Sequence, residues 1–279
     1  MSVNERMSEA WNGQESVHYV DHADRHDRQL EPVTRLILEA ADIGPDDAVL
    51  DIGCGCGAMA LVAARRARRV VGLDISDPLV RVARSRVEVA DHERAEFIVG
   101  DAQIHEFDDG EFDVVVSQFG LMFFDDPAAA FANMHRSLRP GGRLTFACWR
   151  DLGDNDWLRP VVRAVEAHAD VPDLGGMEGG GGMFAFKHDD EVADLLTVAG
   201  FTDVAVDPVS PRLLIGGGGS VDDSTGFLLG LGIVRGLLGR LDDEQRVVAE
   251  SSIRDELERH HDEDGVRLGS GVWLATATA

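Results

Sequence analysis

The sequence predicts an α/β protein with a doubly wound, seven-stranded sheet that is parallel except for an antiparallel terminal strand. Two observations lead to this class. Short apolar runs alternate with segments of helical periodicity along residues 48–149, and strands joined by helices form a parallel sheet with both faces covered. After residue 149 the alternation is interrupted twice and then resumes, which predicts helical inserts at one end of the sheet.

The secondary-structure elements are predicted in order from the hydrophobic periodicity and from the residues that end each periodic segment. An apolar helical stripe over 31–44 stops at Gly44 and Pro45. The strands predicted next are 48–52, 69–75, 95–100, 112–119 and 143–149, with helices over 58–67, 77–90 and 127–139 between them. The predicted remainder is a helix over 188–200, a strand over 202–209, a charged helix over about 242–261 and a terminal strand over 265–279.

Charge is the strongest compositional signal. The 279 residues carry 51 acidic and 26 basic side chains, a net charge of −25. Nucleic acids and anionic membranes are bound by clustered positive charge, so we expect neither as a partner. We interpret the acidity as a solvated surface, with steering of a cationic substrate as the alternative. No apolar run reaches the roughly 20 residues that span a bilayer, and we see no signal peptide, which predicts a cytoplasmic protein.

Residues 51–57 read DIGCGCG, directly after one predicted strand and before a helix. The glycines allow a tight turn and a close approach of the backbone to a ligand. The spacing is neither that of a dinucleotide fingerprint nor that of a phosphate-binding loop. Cys54 and Cys56 are only two thiols without a second Cys or Cys/His pair nearby, so we predict no metal site.

Three carboxylates follow neighbouring predicted strands: Asp51, Asp74 and Asp101. A carboxylate at the place of Asp74 suits both hydroxyls of a ribose, and Asp101 is placed to accept from an exocyclic amine. No basic residue accompanies the glycine turn to hold a pyrophosphate. Together these residues indicate a site for an adenosine nucleoside that is bound without phosphate.

Five segments in series carry a family resemblance: VLDIGCGCG, VVGLDIS, VGDAQ, FDVVVSQFGLMFF and LRPGGRLTFACW. This series resembles the motifs of class I S-adenosylmethionine-dependent methyltransferases over roughly residues 30–150. The segments SQFGLMFFDDP, FACWR and WNGQES are similar to segments of the small-molecule methyltransferases called UbiE-like. The resemblance implies a Rossmann-like fold and S-adenosyl-L-methionine as cofactor, with S-adenosyl-L-homocysteine as product.

The resemblance also implies roles for single positions. Asp51 would fix the methionine amino group, Asp74 would accept from the ribose hydroxyls, and Asp101 would read the adenine edge. The other positions expected to contact the cofactor are Trp11, Tyr19, Gln29, Gly53, Cys54, Gly55, Ile75, Ala102, Ser117, Gln118 and Phe119.

The same resemblance sets the expected organisation of the chain. Residues 1–30 would be a lid segment, 31–150 the cofactor-binding core, 151–187 and 210–262 inserts that roof the substrate, and 188–209 and 263–279 the completion of the core sheet. We expect the glycine-rich stretch 175–184 to become ordered when substrate binds.

The acceptor side is predicted from aromatic residues near the ligand end of the sheet. Phe119, Met122, Phe123 and Trp149 are expected to form an apolar wall for the substrate. Alignment of acceptor, methyl group and sulfur supplies much of the acceleration in methyl transfer, so a general base is not obligatory. The candidates for one lie in the N-terminal segment, and we select Tyr19 and His22 among Tyr19, His18, His22 and His26.

The function predicted is transfer of a methyl group to O, N or C of a small, apolar or aromatic metabolite. The alternatives are a methyltransferase fold that uses bound S-adenosylmethionine without methyl transfer, as in a cyclase, and a non-catalytic partner subunit. The expected partner is a small-molecule acceptor, and a homodimer is compatible with the sequence. The acceptor's identity, the atom methylated and the oligomeric state are left open by the sequence.

Overall fold

A computed structural model describes residues 4–90, 93–172, 174 and 182–279. Most of the glycine-rich stretch 175–184 lies outside these residues. No helix in the described part is long and apolar enough to cross a membrane.

The described residues form nine strands in two sheets. The strands are β1 (Ala48–Ile52), β2 (Arg69–Asp74), β3 (Ala95–Val99), β4 (Phe112–Gln118), β5 (Leu138–Trp149), β6 (Thr202–Val209), β7 (Arg212–Leu214), β8 (Arg267–Gly269) and β9 (Val272–Thr278). Seven of them make one sheet in the order β3-β2-β1-β4-β5-β9-β6. β1 to β5 pair in parallel, and β9 runs antiparallel to both β5 and β6. The structure therefore confirms the predicted fold class.

Helices cover both faces and one end of this sheet. They are α1 (Glu5–Asn12), α2 (Gln14–Asp21), α3 (Ala23–Ala41), α4 (Ala58–Ala63), α5 (Asp77–Ala90), α6 (Pro127–Ser137), α7 (Arg159–Glu166), α8 (Asp189–Val198), α9 (Val221–Gly230), α10 (Gly232–Leu238) and α11 (Asp243–Glu258). The central strand β1 is buried along its whole length, as expected for a strand with neighbours on both sides and helices on both faces.

The first predicted helix begins earlier than its apolar stripe indicated. The structure starts α3 at Ala23 instead of residue 31, so the expected boundary between lid and core at residue 30 falls inside a helix. The buried positions of this helix begin with His26 and Gln29 and continue with Val33, Ile37 and Ala41. A stripe whose first two members are polar is invisible to a count of apolar residues.

The segment 265–279 also differs from the prediction of one terminal strand. It contains two strands, β8 and β9, because the extended structure is interrupted at Ser270 and Gly271. The Ser270 hydroxyl donates to the Pro211 carbonyl (2.7 Å), and the Gly271 amide donates to Asn155 Oδ1 (3.1 Å). β8 then pairs with β7 in a small second sheet, which the sequence did not indicate.

Candidate active site

A cavity of about 670 Å³ lies at the carboxyl ends of the parallel strands. Every residue predicted to contact cofactor or substrate lines this cavity, except Ser117. Of the two predicted catalytic residues, Tyr19 lines it and His22 does not. The lining residues among these predictions are Trp11, Tyr19, Gln29, Asp51, Gly53, Cys54, Gly55, Asp74, Ile75, Asp101, Ala102, Gln118, Phe119, Met122, Phe123 and Trp149.

The glycine turn after β1 takes the backbone form that its composition predicted. Gly53 and Gly55 have φ angles of +68° and +53°, which side chains adopt rarely. A Cβ on Gly53 would lie 2.8 Å from the Cα of Gly120, whereas a Cβ on Gly55 would meet no atom within 4 Å. Gly53 is thus needed for packing against a neighbouring loop, and Gly55 leaves space on the cavity side.

Asp51 is the most unusual group in the cavity. Its side chain is 1% exposed, and neither carboxylate oxygen has a hydrogen-bond partner among the described residues. Burial and the nearby Asp74 carboxylate raise the pKa of Asp51 well above its usual range. Buried polar groups without partners are costly and uncommon, so this carboxylate is available for a cationic donor in the cavity.

Asp74 stabilises the glycine turn and still faces the cavity. Its Oδ2 accepts from the Gly55 amide (2.8 Å) and its Oδ1 from the Ser76 amide (2.8 Å). Burial raises the pKa of Asp74, and these backbone hydrogen bonds act in the opposite direction. Since each carboxylate oxygen accepts about two hydrogen bonds, one site stays open on each oxygen of Asp74.

Asp101 is held by an asparagine that the sequence reading did not select. Asn4 Nδ2 donates to both Asp101 oxygens (2.9 Å each), and the Gln103 amide donates to Oδ1 (2.9 Å). This leaves one acceptor site on Oδ2. The backbone amide of Asn4 also donates to Asp125 Oδ2 (2.8 Å), and Asn4 Oδ1 accepts from the backbone amide of Asp125 (2.7 Å).

Helix α1 lies across the same end of the sheet and is held by hydrogen bonds at both ends. Asn4 makes those at its start. Asn12, at its end, donates to the Ile75 carbonyl (3.0 Å) and accepts from the Asp77 amide (2.9 Å). The Ser76 hydroxyl donates to the carbonyl of Trp11 (2.6 Å). The first part of the predicted lid therefore covers the loops after β2, β3 and β4. Asparagines flanking a short helix gave no sequence signal that pointed to the cavity.

The predicted apolar wall is present and extends into the inserts. Phe119 stacks on Trp149 with ring centroids 3.9 Å apart and planes 7° from parallel, and Trp157 lies 5.5 Å from Trp149. Met122 is buried behind them, where its sulfur accepts from the Trp149 amide at 3.4 Å. Several lining residues that were not selected from the sequence come from the inserts: Trp157, Leu174, Met183, Leu231 and Ile233.

The N-terminal candidates for a base are arranged differently from the prediction. His22 lies outside the cavity lining, with its ring 4.8 Å from His18 and 6.0 Å from Phe227. Tyr19 lines the cavity, but burial, followed by the charge of Glu15, raises its pKa to about 12, so the hydroxyl stays protonated at neutral pH. His22 therefore does not line the cavity whereas Tyr19 does, and a catalytic role for either residue stays a prediction.

His26 lines the cavity in the place expected for His22. Its ring stacks on Tyr19 (4.0 Å, 12°), and its Nε2 lies 3.0 Å from His18 Nδ1. Burial is the main cause that lowers the pKa of His18 to about 4 and that of His26 to about 3. Both imidazoles are neutral at physiological pH and form a buried pair behind the Tyr19 ring.

Ser117 and the cysteines have mainly structural surroundings. Ser117 is fully buried, and its hydroxyl donates to the Ile52 carbonyl (2.7 Å), so it supports the strand below the cavity. Cys54 and Cys56 are free thiols, and burial raises the pKa of both. Within the described ranges, no group of three or more His, Cys, Asp or Glu residues is arranged to hold a metal ion.

Comparison with known proteins agrees with this arrangement. Residues 50–146 match the family model of a methyltransferase domain. The match covers about a third of the chain. The matched range begins within β1 and ends within β5, and thus includes Asp51, Asp74 and Asp101.

The similar curated proteins match only part of this chain. An uncharacterized protein of Mycobacterium tuberculosis, Rv1405c, is 33% identical over 155 residues, 54% of this chain and 56% of that protein. Nocamycin O-methyltransferase of Saccharothrix syringae is 36% identical over 118 residues, 41% of this chain and 42% of that protein. The chain spans about half the length of the curated relatives that it matches.

Solved structures extend the likeness of fold over most of this chain. The YcgJ protein of Bacillus subtilis has a TM-score of 0.58 at 17% identity, covering 89% of this chain and 98% of that one. The [4+2]-cyclase SpnF has a TM-score of 0.54 at 20% identity, covering 89% and 80%. At these identities the likeness concerns the fold alone.

Proposed function

We propose that this protein is an S-adenosylmethionine-dependent methyltransferase that acts on a small, apolar or aromatic molecule. The observation that carries the proposal is the buried Asp51 carboxylate, which has no partner among the described residues and lines a cavity beside the glycine turn. A cationic amino group is the partner that such a carboxylate requires.

The open acceptor sites of the three carboxylates fit the cofactor. Neither Asp51 oxygen makes a hydrogen bond within the described residues, although the nearby Ala60 amide favours the charged form, so the carboxylate can accept from an ammonium group. Asp74 keeps acceptor capacity for ribose hydroxyls beside its bonds from the Gly55 and Ser76 amides, and Asp101 has one site free on Oδ2 for the adenine amino group. Because these groups lie at the carboxyl ends of β1, β2 and β3, which are neighbours in the sheet, they suit one extended adenosine ligand with an amino-acid tail.

The remaining predicted contacts complete this proposed site. The backbone at Gly53, Cys54 and Gly55 would approach the ligand closely, Ile75 and Ala102 would border the adenine, and Trp11 and Tyr19 would cover it from the lid. Gln29 faces the cavity while its Oε1 accepts from the Gly216 amide (2.8 Å), and Gln118 accepts from Thr34 (2.7 Å). These two amides would therefore be held in fixed orientations.

When bound, the cofactor supplies an electrophilic methyl group on a sulfonium. The chain then has to orient the acceptor and to exclude water. The stacked rings of Phe119 and Trp149 offer a flat apolar surface to the acceptor, and α1 closes the adenosine end. Alignment of the two reactants contributes several kcal/mol to such reactions, and the Tyr19 hydroxyl is a hydrogen-bond donor that can orient a polar atom of the acceptor.

Calorimetry with S-adenosylhomocysteine on wild-type protein and Asp74→Ala tests the cofactor site. Loss of two hydrogen bonds to a charged group should weaken binding by about 2–4 kcal/mol. Formation of S-adenosylhomocysteine during turnover with an acceptor tests methyl transfer itself. Equal affinity in both proteins would refute the site, and tight binding without that product during turnover would indicate a cyclase-type or non-catalytic role.

A cytoplasmic location and a small-molecule acceptor are parts of the same proposal. They are supported by the net charge of −25, which opposes binding to nucleic acids and anionic membranes. The proposal is also compatible with a homodimer, which light scattering at several protein concentrations would detect.

A further inference from the structure

Three side chains spaced four residues apart in the N-terminal segment line the cavity. Trp11 lies in the last turn of α1, and Glu15 and Tyr19 lie on α2. Gly13 separates the two helices, yet all three residues line the same cavity. Phe123, from the loop after β4, joins them. We call these four residues the aromatic–carboxylate cluster.

The aromatic members surround one region from several directions. The Trp11 ring meets Tyr19 edge-to-face, with centroids 5.4 Å apart and planes at 65°. It meets Phe123 in the same manner at 5.9 Å and 76°. All three rings also line the cavity, and aromatic ring faces attract organic cations.

Glu15 has one long ion pair and no hydrogen bond within the described residues. Arg235 Nη2 lies 3.8 Å from Glu15 Oε1, and both side chains are more than a third exposed. That guanidinium donates instead to the carbonyls of Gly230 and Gln14. By contrast, Asp27, a carboxylate that also lines the cavity, pairs with Arg86 at 2.9 Å.

Glu15 sits on the insert side of the cavity rather than on the strand side. A Cβ placed on Gly232 would lie 1.7 Å from Glu15 Oε2, so the carboxylate packs directly against the start of α10. The Glu15 side chain is 39% exposed, which puts it near the opening. Asp51, Asp74 and Asp101 lie at the carboxyl ends of the strands, whereas Glu15 packs against the insert helix α10.

The electrostatics of the whole cavity agree with a cationic occupant. Its charged lining residues are five carboxylates: Glu15, Asp27, Asp51, Asp74 and Asp101. Within the described residues no Arg or Lys lines the cavity, and the sequence has neither at 173 or 175–181. A phosphate or carboxylate on the acceptor would therefore lose its hydration without gaining a cationic partner.

We propose that the aromatic–carboxylate cluster binds an organic ammonium group, so that the acceptor is an amine-bearing aromatic or apolar molecule. This inference rests on the proposed function, because it concerns the acceptor of the same cavity. It assigns recognition of the ammonium group, whichever atom of the acceptor is methylated. The cluster's chemistry would also suit the sulfonium of the cofactor, and the two sources of positive charge are separated by experiment.

The test uses three matched probes on the full chain saturated with S-adenosylhomocysteine, which carries no sulfonium. Phenethylamine, 2-phenylethanol and 3-phenylpropionate offer the same ring with a cationic, neutral or anionic end. Calorimetry should give the order phenethylamine, then 2-phenylethanol, then 3-phenylpropionate. Glu15→Gln should weaken binding of phenethylamine about tenfold or more, since a charge-assisted contact contributes more than a neutral one. The affinity for 2-phenylethanol should stay within about twofold of the wild-type value.

Two further variants locate the effect. Glu9→Gln removes the same charge from an exposed position of α1 and should leave all three affinities unchanged, which separates local recognition from the overall acidity. Phe123→Leu keeps the cavity apolar but removes a ring face, and should weaken phenethylamine more than 2-phenylethanol.

The outcomes distinguish the inference from the function on which it rests. If S-adenosylhomocysteine does not bind the wild-type protein, the proposed function fails. If it binds but phenethylamine has no preference over 2-phenylethanol, only the amine proposal is overturned. If Glu15→Gln weakens S-adenosylmethionine relative to S-adenosylhomocysteine and leaves phenethylamine unchanged, the cation is the sulfonium, and the amine proposal is again overturned.

Discussion

Asp51 gives the sharpest prediction, because its substitution should change stability and binding in opposite directions. In the protein without ligand, this carboxylate is 1% exposed and has no hydrogen-bond partner among the described residues. Asp51→Asn replaces a buried charge by a neutral amide of the same shape. An unpaired buried neutral group costs about 1–3 kcal/mol and a charged one more, so we expect a gain of about 1–2 kcal/mol in the free energy of unfolding.

The same substitution should weaken binding of the cofactor. Asp51→Asn keeps one acceptor oxygen but loses the charge that would pair with the ligand's ammonium group. Charge-assisted hydrogen bonds contribute about 1.5–3 kcal/mol each, so we expect a loss of about 2–3 kcal/mol, or roughly 30- to 150-fold in Kd. Thermal unfolding without ligand and calorimetry with S-adenosylhomocysteine measure the two effects.

The pH dependence has a definite sign. Burial raises the pKa of Asp51, so protonation stabilises the ligand-free fold as pH falls through that raised pKa, and cofactor affinity should fall over the same range. Asp51→Asn should lack both components. Asp113 is a suitable control, because it accepts from the Ala48 amide and Arg139, which outweigh burial and lower its pKa. Asp113→Asn should destabilise the protein and leave Kd unchanged. An Asp51→Asn protein with unaltered affinity, or with lower stability than wild type, would refute this reasoning.

Three further predictions concern the glycine turn, the histidine pair and the lid. Gly53→Ala should lower thermal stability, because its Cβ would lie 2.8 Å from a neighbouring backbone atom, whereas Gly55→Ala has free space and should mainly reduce cofactor affinity in calorimetry; equal stability losses would contradict this difference. His18→Leu should reduce the stability lost between pH 7 and pH 5 by about 1 kcal/mol, because burial lowers the pKa of His18 from 6.5 to about 4, the unfolded chain takes up the proton first, and solvent screens part of the effect. Denaturant titrations at both pH values measure it, and an unchanged difference would count against a buried neutral ring. Asn4→Ala should speed release of S-adenosylhomocysteine in stopped-flow experiments, because it removes both hydrogen bonds from the lid to Asp101; an unchanged rate would mean that α1 does not limit release.

The sheet and the adenosine end of the cavity were predictable because their signals are local. Each strand from β1 to β4 is a short apolar run with polar or glycine residues at its carboxyl end. In a parallel sheet these ends converge at one edge. Asp51, Asp74 and Asp101 therefore meet at the cavity, although 23 and 27 positions separate them in the chain.

The covering parts of the cavity were less predictable, because long-range contacts decide them. Asn4 reaches Asp101 and Asp125, more than 90 positions away. Leu231 and Ile233 face the cavity only because α9 and α10 fold back over it. His26 rather than His22 lines the cavity for the same reason, because α3 starts at Ala23 instead of residue 31 and its register buries His26.

The buried ionisable groups of the cavity can be understood together. Asp51 and Asp74 have raised pKa values because burial disfavours their charged forms, and the ligand-free protein bears that cost. A ligand that brings an ammonium group to Asp51 and hydroxyls to Asp74 would relieve the cost at both places, and binding to the native state alone raises stability further. The ligand-free cavity is therefore a destabilised part of the fold, and in the proposed function the same carboxylates would give the cofactor its affinity. This coupling is the physical reason why Asp51→Asn should produce a more stable protein that binds less well.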